Sequence, residues 1–359
     1  MRKFAILAAL LLSLSLQARD RKSADSSCFT YIGRTQVQNG TVSFDWSGVT
    51  AVVHFKGKYL EMNYKDSGTT YVNVWVDREP SATSDYVLAL GGEALVPVAE
   101  NLRNQEHTVY IQKRTEGECG CLSITSFVTD GSFLQARGLK DRKILFIGDS
   151  YTCGYGTEKG TRFDPFSAET ENCNYTYAAI IGRIYDADIH LVSHSGRGVC
   201  RNYADAPVAL MPEKYSRVFD YTEAAGPAWD ASAFVPDIVV IYLGTNDFST
   251  EKQPTMESWC QRYALLIGQI RKDFGADVPV LCMASPALEM LPQYVKTAVE
   301  RCGQPNVHWM ALIHGVYNEE DDLGASWHPN YTGQRKVASC VIPYISTLTG
   351  WELPMKVLE

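Results

Sequence analysis

The stretch "KILFIGDSYTCGYG", Lys143 to Gly156, decides how the second half of this chain folds. Four consecutive apolar residues, Ile144 to Ile147, run into Gly148, Asp149 and Ser150. A short apolar run bounded by glycine predicts a strand covered on both faces, as in a parallel sheet. A serine directly after a strand is, by itself, as consistent with a helix N-cap as with chemistry. Open parallel sheets gather function at the carboxyl ends of their strands, so the other strand ends discriminate.

Four further apolar runs follow: "DIHLV" (188–192), "DIVVIYL" (237–243), "VPVLCMA" (278–284) and "VHWMAL" (307–312). Helical stretches separate them. In one, Trp259, Tyr263, Leu266, Ile270 and Phe274 recur at helical spacing and form one apolar face. Alternating strands and helices predict a parallel sheet with helices on both faces. After "DIHLV" come Ser193, His194, Ser195, Gly196, Arg197 and Gly198. After "DIVVIYL" come Gly244, Thr245, Asn246 and Asp247, and past an acidic loop comes "SWHPN", Ser326 to Asn330. One rim thus receives a serine, a glycine-rich backbone, an asparagine and a histidine. Those are the parts of acyl transfer. A serine hydroxyl needs a base to take its proton, and a histidine is the usual one. Backbone N–H groups and an asparagine amide can donate to the oxyanion that forms.

The 359 residues suggest two domains at ~100–200 residues each. With 45% hydrophobic and 21% charged residues, either could bury a core. The formal net charge of −8, with no basic run to offset it, argues against nucleic acid or an anionic membrane surface as partner. Arg2 and Lys3, the apolar run Phe4 to Leu16 and the small residue Ala18 predict a signal peptide over residues 1–18. The run falls short of the ~20 residues that favour a transmembrane span, so the expectation is export without membrane insertion.

From Cys28 to Gly131 the pattern changes. Short runs rich in Val, Thr, Tyr and Trp recur, among them "TVSFDW", "TAVVHF", "YLEMNY", "YVNVWV", "YVLAL", "ALVPVA", "HTVYIQ" and "LSITSF". They predict an antiparallel β-sandwich of jelly-roll type over residues 28–131. A polar, aperiodic segment over 132–142 reads as the linker, and the catalytic domain as 143–350. Ten cysteines lie between Cys28 and Cys340. Export permits disulfides, but spacing does not fix their pairing. Cys119 and Cys121 lack the second cysteine pair or nearby histidines that zinc would need, and no metal or organic cofactor is expected.

Gly-Asp-Ser near the start of a domain, a glycine after the second strand, Gly-x-Asn-Asp after the third and a late His-Pro resemble the SGNH (GDSL-type) esterase superfamily. "FIGDSYTCGYGTE", "SGRGVCRNY", "MPEKY", "LGTNDF" and "WHPNYTGQ", with "QKRTEG" (112–117) before them, are similar to carbohydrate esterase family 2. That resemblance implies a three-layer α/β/α catalytic domain behind a β-sandwich. It implies an exported esterase that removes acetyl groups from plant-type glucomannan, mannan or xylan, with acetylated polysaccharide or oligosaccharide as partner. Residue by residue, Ser150 falls at the nucleophile and His328 at the base. The oxyanion hole falls to the Ser150 N–H, Gly198 (or Gly196) and Asn246, and Trp327 is a candidate sugar-binding side chain. One departure stands out. Superfamily members often carry an aspartate two or three residues before the histidine, where this chain has Ser326 and Ala325. A backbone carbonyl is then the expected orienting group. Other acylated substrates such as peptidoglycan, or a binding protein with a silent esterase domain, are the rival expectations.

Overall fold

The computed structural model describes residues 19–221 and 227–353. The leader read over residues 1–18 lies outside the described residues. The first domain is built of antiparallel strands: β1 (Asp20–Ser23), β2 (Phe29–Ile32), β3 (Gln36–Gln38), β4 (Thr41–Phe44), β5 (Thr50–Gly57), β6 (Leu60–Val76), β7 (Tyr86–Ala99), β8 (Gln105–Lys113), β9 (Leu122–Thr129) and β10 (Ser132–Phe133). "YLEMNY" and "YVNVWV", which read as separate strands, are the two halves of the 17-residue β6. Its first half pairs with β9 and its second with β8, so the strand passes from one face of the domain to the other. The bend falls where Asp66 accepts hydrogen bonds from the Thr70 N–H (3.0 Å) and hydroxyl (2.9 Å). A side chain that satisfies backbone at a bend lets a strand continue where sequence pattern reads a break. The domain also exceeds the 28–131 range: β1 pairs with β9, and β10, inside the expected linker, pairs with β5.

The second domain is a parallel sheet ordered β12-β11-β13-β14-β15: β11 (Arg142–Gly148), β12 (Ala187–Ser193), β13 (Ile238–Tyr242), β14 (Val280–Ala284) and β15 (Val307–Ala311). Its helices are α1 (Ser150–Cys153), α2 (Tyr177–Tyr185), α3 (Met211–Lys214), α4 (Met256–Phe274), α5 (Leu291–Arg301) and α6 (Tyr331–Thr349). Strand side chains alternate between two cores. Ile144 and Phe146 pack with α2 and α6, whereas Leu145 and Ile147 join the core that holds α4 and α5. This is the α/β/α layering. The predicted helical face of α4 is buried at Trp259, Tyr263, Leu266 and Ile270, and Thr255 caps the helix by accepting from the Ser258 N–H.

The two domains share one core. Phe44, Trp46 and Ile111 of the first cluster with Leu145, Ile147 and Val192 of the second. Polar contacts reinforce the seam. The Gly33 N–H donates to His190 Nε2 (2.9 Å), Arg34 to the Tyr215 and Arg217 carbonyls, and Asp45 accepts the N–H groups of Asp220 (2.7 Å) and Tyr221 (2.9 Å). The connection between the domains lies along this seam. Thr30 donates to the Arg137 carbonyl, and the Lys140 N–H donates to Asp188 at 2.6 Å.

Candidate active site

Strand β11 delivers Ser150 to the rim. Asp149, not Ser150, caps α1, accepting from the Tyr151 N–H at 3.2 Å. Ser150 is therefore the first helical residue, with its hydroxyl released from capping. Gly148 is required by space: a Cβ there would lie 2.0 Å from the Thr152 hydroxyl. Burial pushes the Asp149 carboxyl up to about 7.

His328 Nε2 lies 2.8 Å from Ser150 Oγ. Its Nδ1 lies 2.9 Å from the carbonyl oxygen of Ser326. A carbonyl can only accept, so Nδ1 carries the hydrogen and Nε2 keeps a lone pair facing the hydroxyl. Ser326 (φ +51°) and Trp327 (φ +65°) both sit in the left-handed region, uncommon for residues with a side chain. That turn doubles the backbone back and aims the Ser326 carbonyl at the ring two residues on. The nearby acids are engaged elsewhere: Asp321 accepts from Asn318 Nδ2, and Asp322 from the Asn318 N–H and Lys336. Burial lowers His328 to about 4, while the Ser326 and Ala325 carbonyls and the charge of Glu116 pull it back up.

Asn246 follows β13, and its Nδ2 donates to the Arg197 carbonyl (3.0 Å) and to Asp149 Oδ2 (3.2 Å). It thus ties the end of β13 to both the Ser150 turn and the loop after β12. The Gly198 N–H donates to Asn202 Oδ1 at 3.2 Å. A Cβ at Gly198 would lie 1.9 Å from the Arg201 carbonyl oxygen, so only glycine fits. Gly196, at φ +74°, shares the same loop, and its carbonyl accepts from the Tyr203 N–H. Asp247 staples this loop by accepting the N–H groups of Val199 (3.1 Å), Cys200 (2.6 Å) and Arg201 (2.9 Å). Those three bonds pull its carboxyl down against the larger effect of burial, which leaves it at about 6.

Trp327 stands beside the histidine and is 50% exposed. Phe163, 74% exposed, meets it edge-on at 5.7 Å, and the Arg162 guanidinium lies 4.7 Å from its ring centre. The Tyr155 ring lies 4.4 Å from His328 and stacks on Phe166 at 3.9 Å. Sequence reasoning missed Phe163, Tyr155 and Phe166, which sit in an aperiodic loop without a local signal. It also missed the three-fold acceptor role of Asp247 and the reach of Glu116, from the first domain, to the loop after β12. The ten cysteines are free thiols.

Two family comparisons divide the chain as its fold does. Residues 31–136 match the family described as Carbohydrate esterase 2 N-terminal, and residues 146–336 match the GDSL-like Lipase/Acylhydrolase family. The cellulase/esterase CelE of Acetivibrio thermocellus is 30% identical over 321 residues, which is 85% of this chain and 38% of that protein. The chain therefore spans well under half the length of that relative. An acetylxylan esterase / glucomannan deacetylase of Cellvibrio japonicus is 27% identical over 96% of this chain and 97% of its own length. The structure of a family two carbohydrate esterase from Clostridium thermocellum, in complex with cellohexaose, superposes with a TM-score of 0.81 at 28% identity. It covers 90% of this chain and 100% of that one.

Proposed function

The chain belongs to the GDSL-like lipase/acylhydrolase family and carries the N-terminal domain of carbohydrate esterase family 2, and from that premise we propose that it is an exported esterase that removes O-acetyl groups from a plant-type polysaccharide. The observation that carries the chemistry is the 2.8 Å contact between His328 Nε2 and Ser150 Oγ, with Nδ1 held by a carbonyl. In the proposed reaction Ser150 Oγ attacks the acetyl carbonyl carbon as His328 Nε2 takes its proton. The tetrahedral intermediate collapses, and the sugar oxygen leaves with the proton from His328. Water, deprotonated by the same nitrogen, attacks the acetyl-serine, and acetate departs as the proton returns to Ser150.

The oxyanion is assigned to the Ser150 N–H, the Gly198 N–H and Asn246 Nδ2. In the free protein the Gly198 N–H holds a partner at 3.2 Å, the long end for a hydrogen bond, while Asn246 Nδ2 is shared between the Arg197 carbonyl at 3.0 Å and Asp149 Oδ2 at 3.2 Å. For the Gly198 N–H, exchanging the neutral Asn202 amide for a charged oxygen is favourable, since bonds to an ionised acceptor are roughly twice as strong. Trp327, next to His328 in the chain, and Phe163, which packs on Trp327, are exposed aromatic side chains that could meet a sugar. The names of the relatives support acetylated xylan and glucomannan as substrates. The apolar run over 4–16 supports export, and among the described residues no helix is long and apolar enough to cross a membrane.

The test is acetate release by the purified protein from acetylated glucomannan, acetylated xylan and acetylated peptidoglycan, with an aryl acetate as generic substrate. Release from the plant polysaccharides is expected. Activity on peptidoglycan alone would overturn the substrate class, and inertness toward all four would overturn the esterase itself. Asn246→Ala is expected to lower kcat by ~10²–10³, the usual loss for one oxyanion donor. A change confined to KM would make Asn246 a substrate-binding residue instead.

The histidine gives a separate prediction. A group lowered by burial is neutral over the whole range above its pKa, so the base is ready well into acid. The His328 ring should titrate well below 6.5 by NMR. Ser326→Asp would bring a carboxylate two residues before the ring, favour imidazolium and move that titration upward. NMR reads the ring itself, whereas a rate profile would also register Asp149 and Asp247, whose carboxyls burial pushes up to about 7 and 6. A wild-type ring titrating at 7 or above would contradict the burial argument.

A further inference from the structure

We propose that Glu116, a residue of the first domain, is a positioning residue for the acyl-transfer site: it holds the loop after β12 in the shape that presents backbone N–H groups to the oxyanion. The inference rests on the esterase mechanism above. Glu116 Oε2 accepts the Ser195 N–H at 2.6 Å, a short bond to a residue one before Gly196 and three before Gly198. The same oxygen accepts from Cys153 Sγ at 3.5 Å, on the last residue of α1. One atom from the neighbouring domain thus touches both the oxyanion loop and the helix that carries the nucleophile.

The acceptor is itself fixed. Glu116 is 2% exposed. Its N–H donates to Glu171 Oε2 (3.2 Å), and its carbonyl accepts from Lys113 Nζ (2.9 Å). The next residue, Gly117, donates its N–H to Asp220 Oδ2 at 3.1 Å. Asp220 also holds Nδ1 of His194 at 2.7 Å, and the His194 N–H donates to the Gly148 carbonyl. The segment 113–117 therefore grips two consecutive residues of the loop, His194 through Asp220 and Ser195 directly. Two buried groups of potential metal ligands, Glu116/His194/Asp220 and Glu116/Cys153/Glu171, meet at this acid. Lys214 holds Asp220, the Ser195 N–H holds Glu116 Oε2 and the Glu116 N–H holds Glu171 Oε2, while Lys113 fixes the Thr115 and Glu116 carbonyls, so the cluster reads as a clamp.

The physical consequence follows from how an oxyanion hole works. Its donors lower the barrier only if they are already aimed where charge will develop. A displacement of about 1 Å in such groups costs ~10²-fold in rate. Ground-state sugar contacts, made by other side chains, would not feel that displacement.

The experiment compares Glu116→Ala, Glu116→Gln and Glu116→Asp in the full chain. Each is assayed for aryl acetate hydrolysis, for affinity toward an aryl boronic acid that adds to Ser150 as a tetrahedral adduct, and for affinity toward a deacetylated oligosaccharide. Gln keeps an oxygen acceptor at the same reach and should stay within ~3-fold of wild type on all three, because a neutral acceptor still satisfies the Ser195 N–H. Ala should lose ~10–100-fold in kcat and a similar factor in boronate affinity, with KM and oligosaccharide affinity unchanged. If Glu116→Ala fails to fold, Glu116→Asp decides: it draws the acceptor back by one methylene and should show the same split. A folded Ala or Asp variant with wild-type kcat and boronate affinity would overturn the role. So would equal losses in boronate and oligosaccharide binding, which mark a merely structural residue. A wild type inert toward aryl acetate would instead overturn the esterase reading on which the inference rests.

Discussion

Ser150→Ala should reduce kcat for acetyl esters by ~10⁶, the scale of losing the serine from a hydrolytic triad. The structure makes this a clean experiment. Were Ser150 the helix cap, alanine would also cost about 1 kcal/mol of stability. Asp149 holds that role, and the Ser150 side chain meets His328 and little else. Tm should therefore shift by less than ~4 °C. Affinity for deacetylated oligosaccharide should be unchanged, because the hydroxyl acts on the carbonyl carbon and not on the sugar. A variant that keeps a tenth of wild-type kcat, measured with aryl acetate and with polysaccharide, would rule out Ser150 as nucleophile. A large drop in Tm alongside the lost rate would assign the residue a structural part that the geometry does not give it.

Residues 140–359 expressed alone should give no active protein, and the full chain should melt in a single transition. The seam is a core cut through the middle. Removing the first domain would cut the apolar cluster that runs from Phe44, Trp46 and Ile111 to Leu145, Ile147 and Val192. Each large apolar side chain left in water forfeits ~1.5–3 kcal/mol, against the 5–15 kcal/mol that stabilises a typical domain. Buried polar groups would lose partners as well. Asp45 would no longer cover the Asp220 and Tyr221 N–H groups, nor the Gly33 N–H meet His190. Breaking one side of a buried charged contact alone costs ~3–5 kcal/mol. Two separated calorimetric transitions, or a soluble fragment with full kcat, would show instead that the domains are independent.

The parallel-sheet domain was legible because a strand covered on both faces has no choice of residue. Ile144 to Ile147 must be apolar whichever way they point, and the polar groups crowd to the strand ends. Ser150, Asn246 and His328 could be picked out for that reason, and the structure brings them onto one rim. The first domain was legible only coarsely. Alternation marks a strand but not its continuity, so β6 read as two strands where Asp66 and Thr70 carry it round a bend. Asn246 and Gly198 stood out as donors, whereas their resting partners, Asp149 and Asn202, could not be foreseen. Contacts at a long sequence separation leave no local trace. Glu116 and Ser195 are 79 positions apart and belong to different domains. The paired left-handed residues at 326 and 327 were equally hidden, since neither is glycine.

That turn has a consequence for how the site can be found by mutation. The group that orients His328 is a carbonyl oxygen, and every residue has one. Replacing the side chain of Ser326 leaves the oxygen in place, so a survey that swaps side chains cannot delete it. Apart from an added charge such as that of Ser326→Asp, what such a survey changes is the ease of holding φ near +51°. Glycine and asparagine suit that backbone shape, and β-branched residues resist it. Among uncharged replacements, tolerance at position 326 would then sort by conformational permission. In a map of substitutions it would look like an ordinary loop preference, although the atom beneath it holds Nδ1 of His328. Only a backbone edit, such as an ester in place of an amide, would touch the chemistry of the group itself.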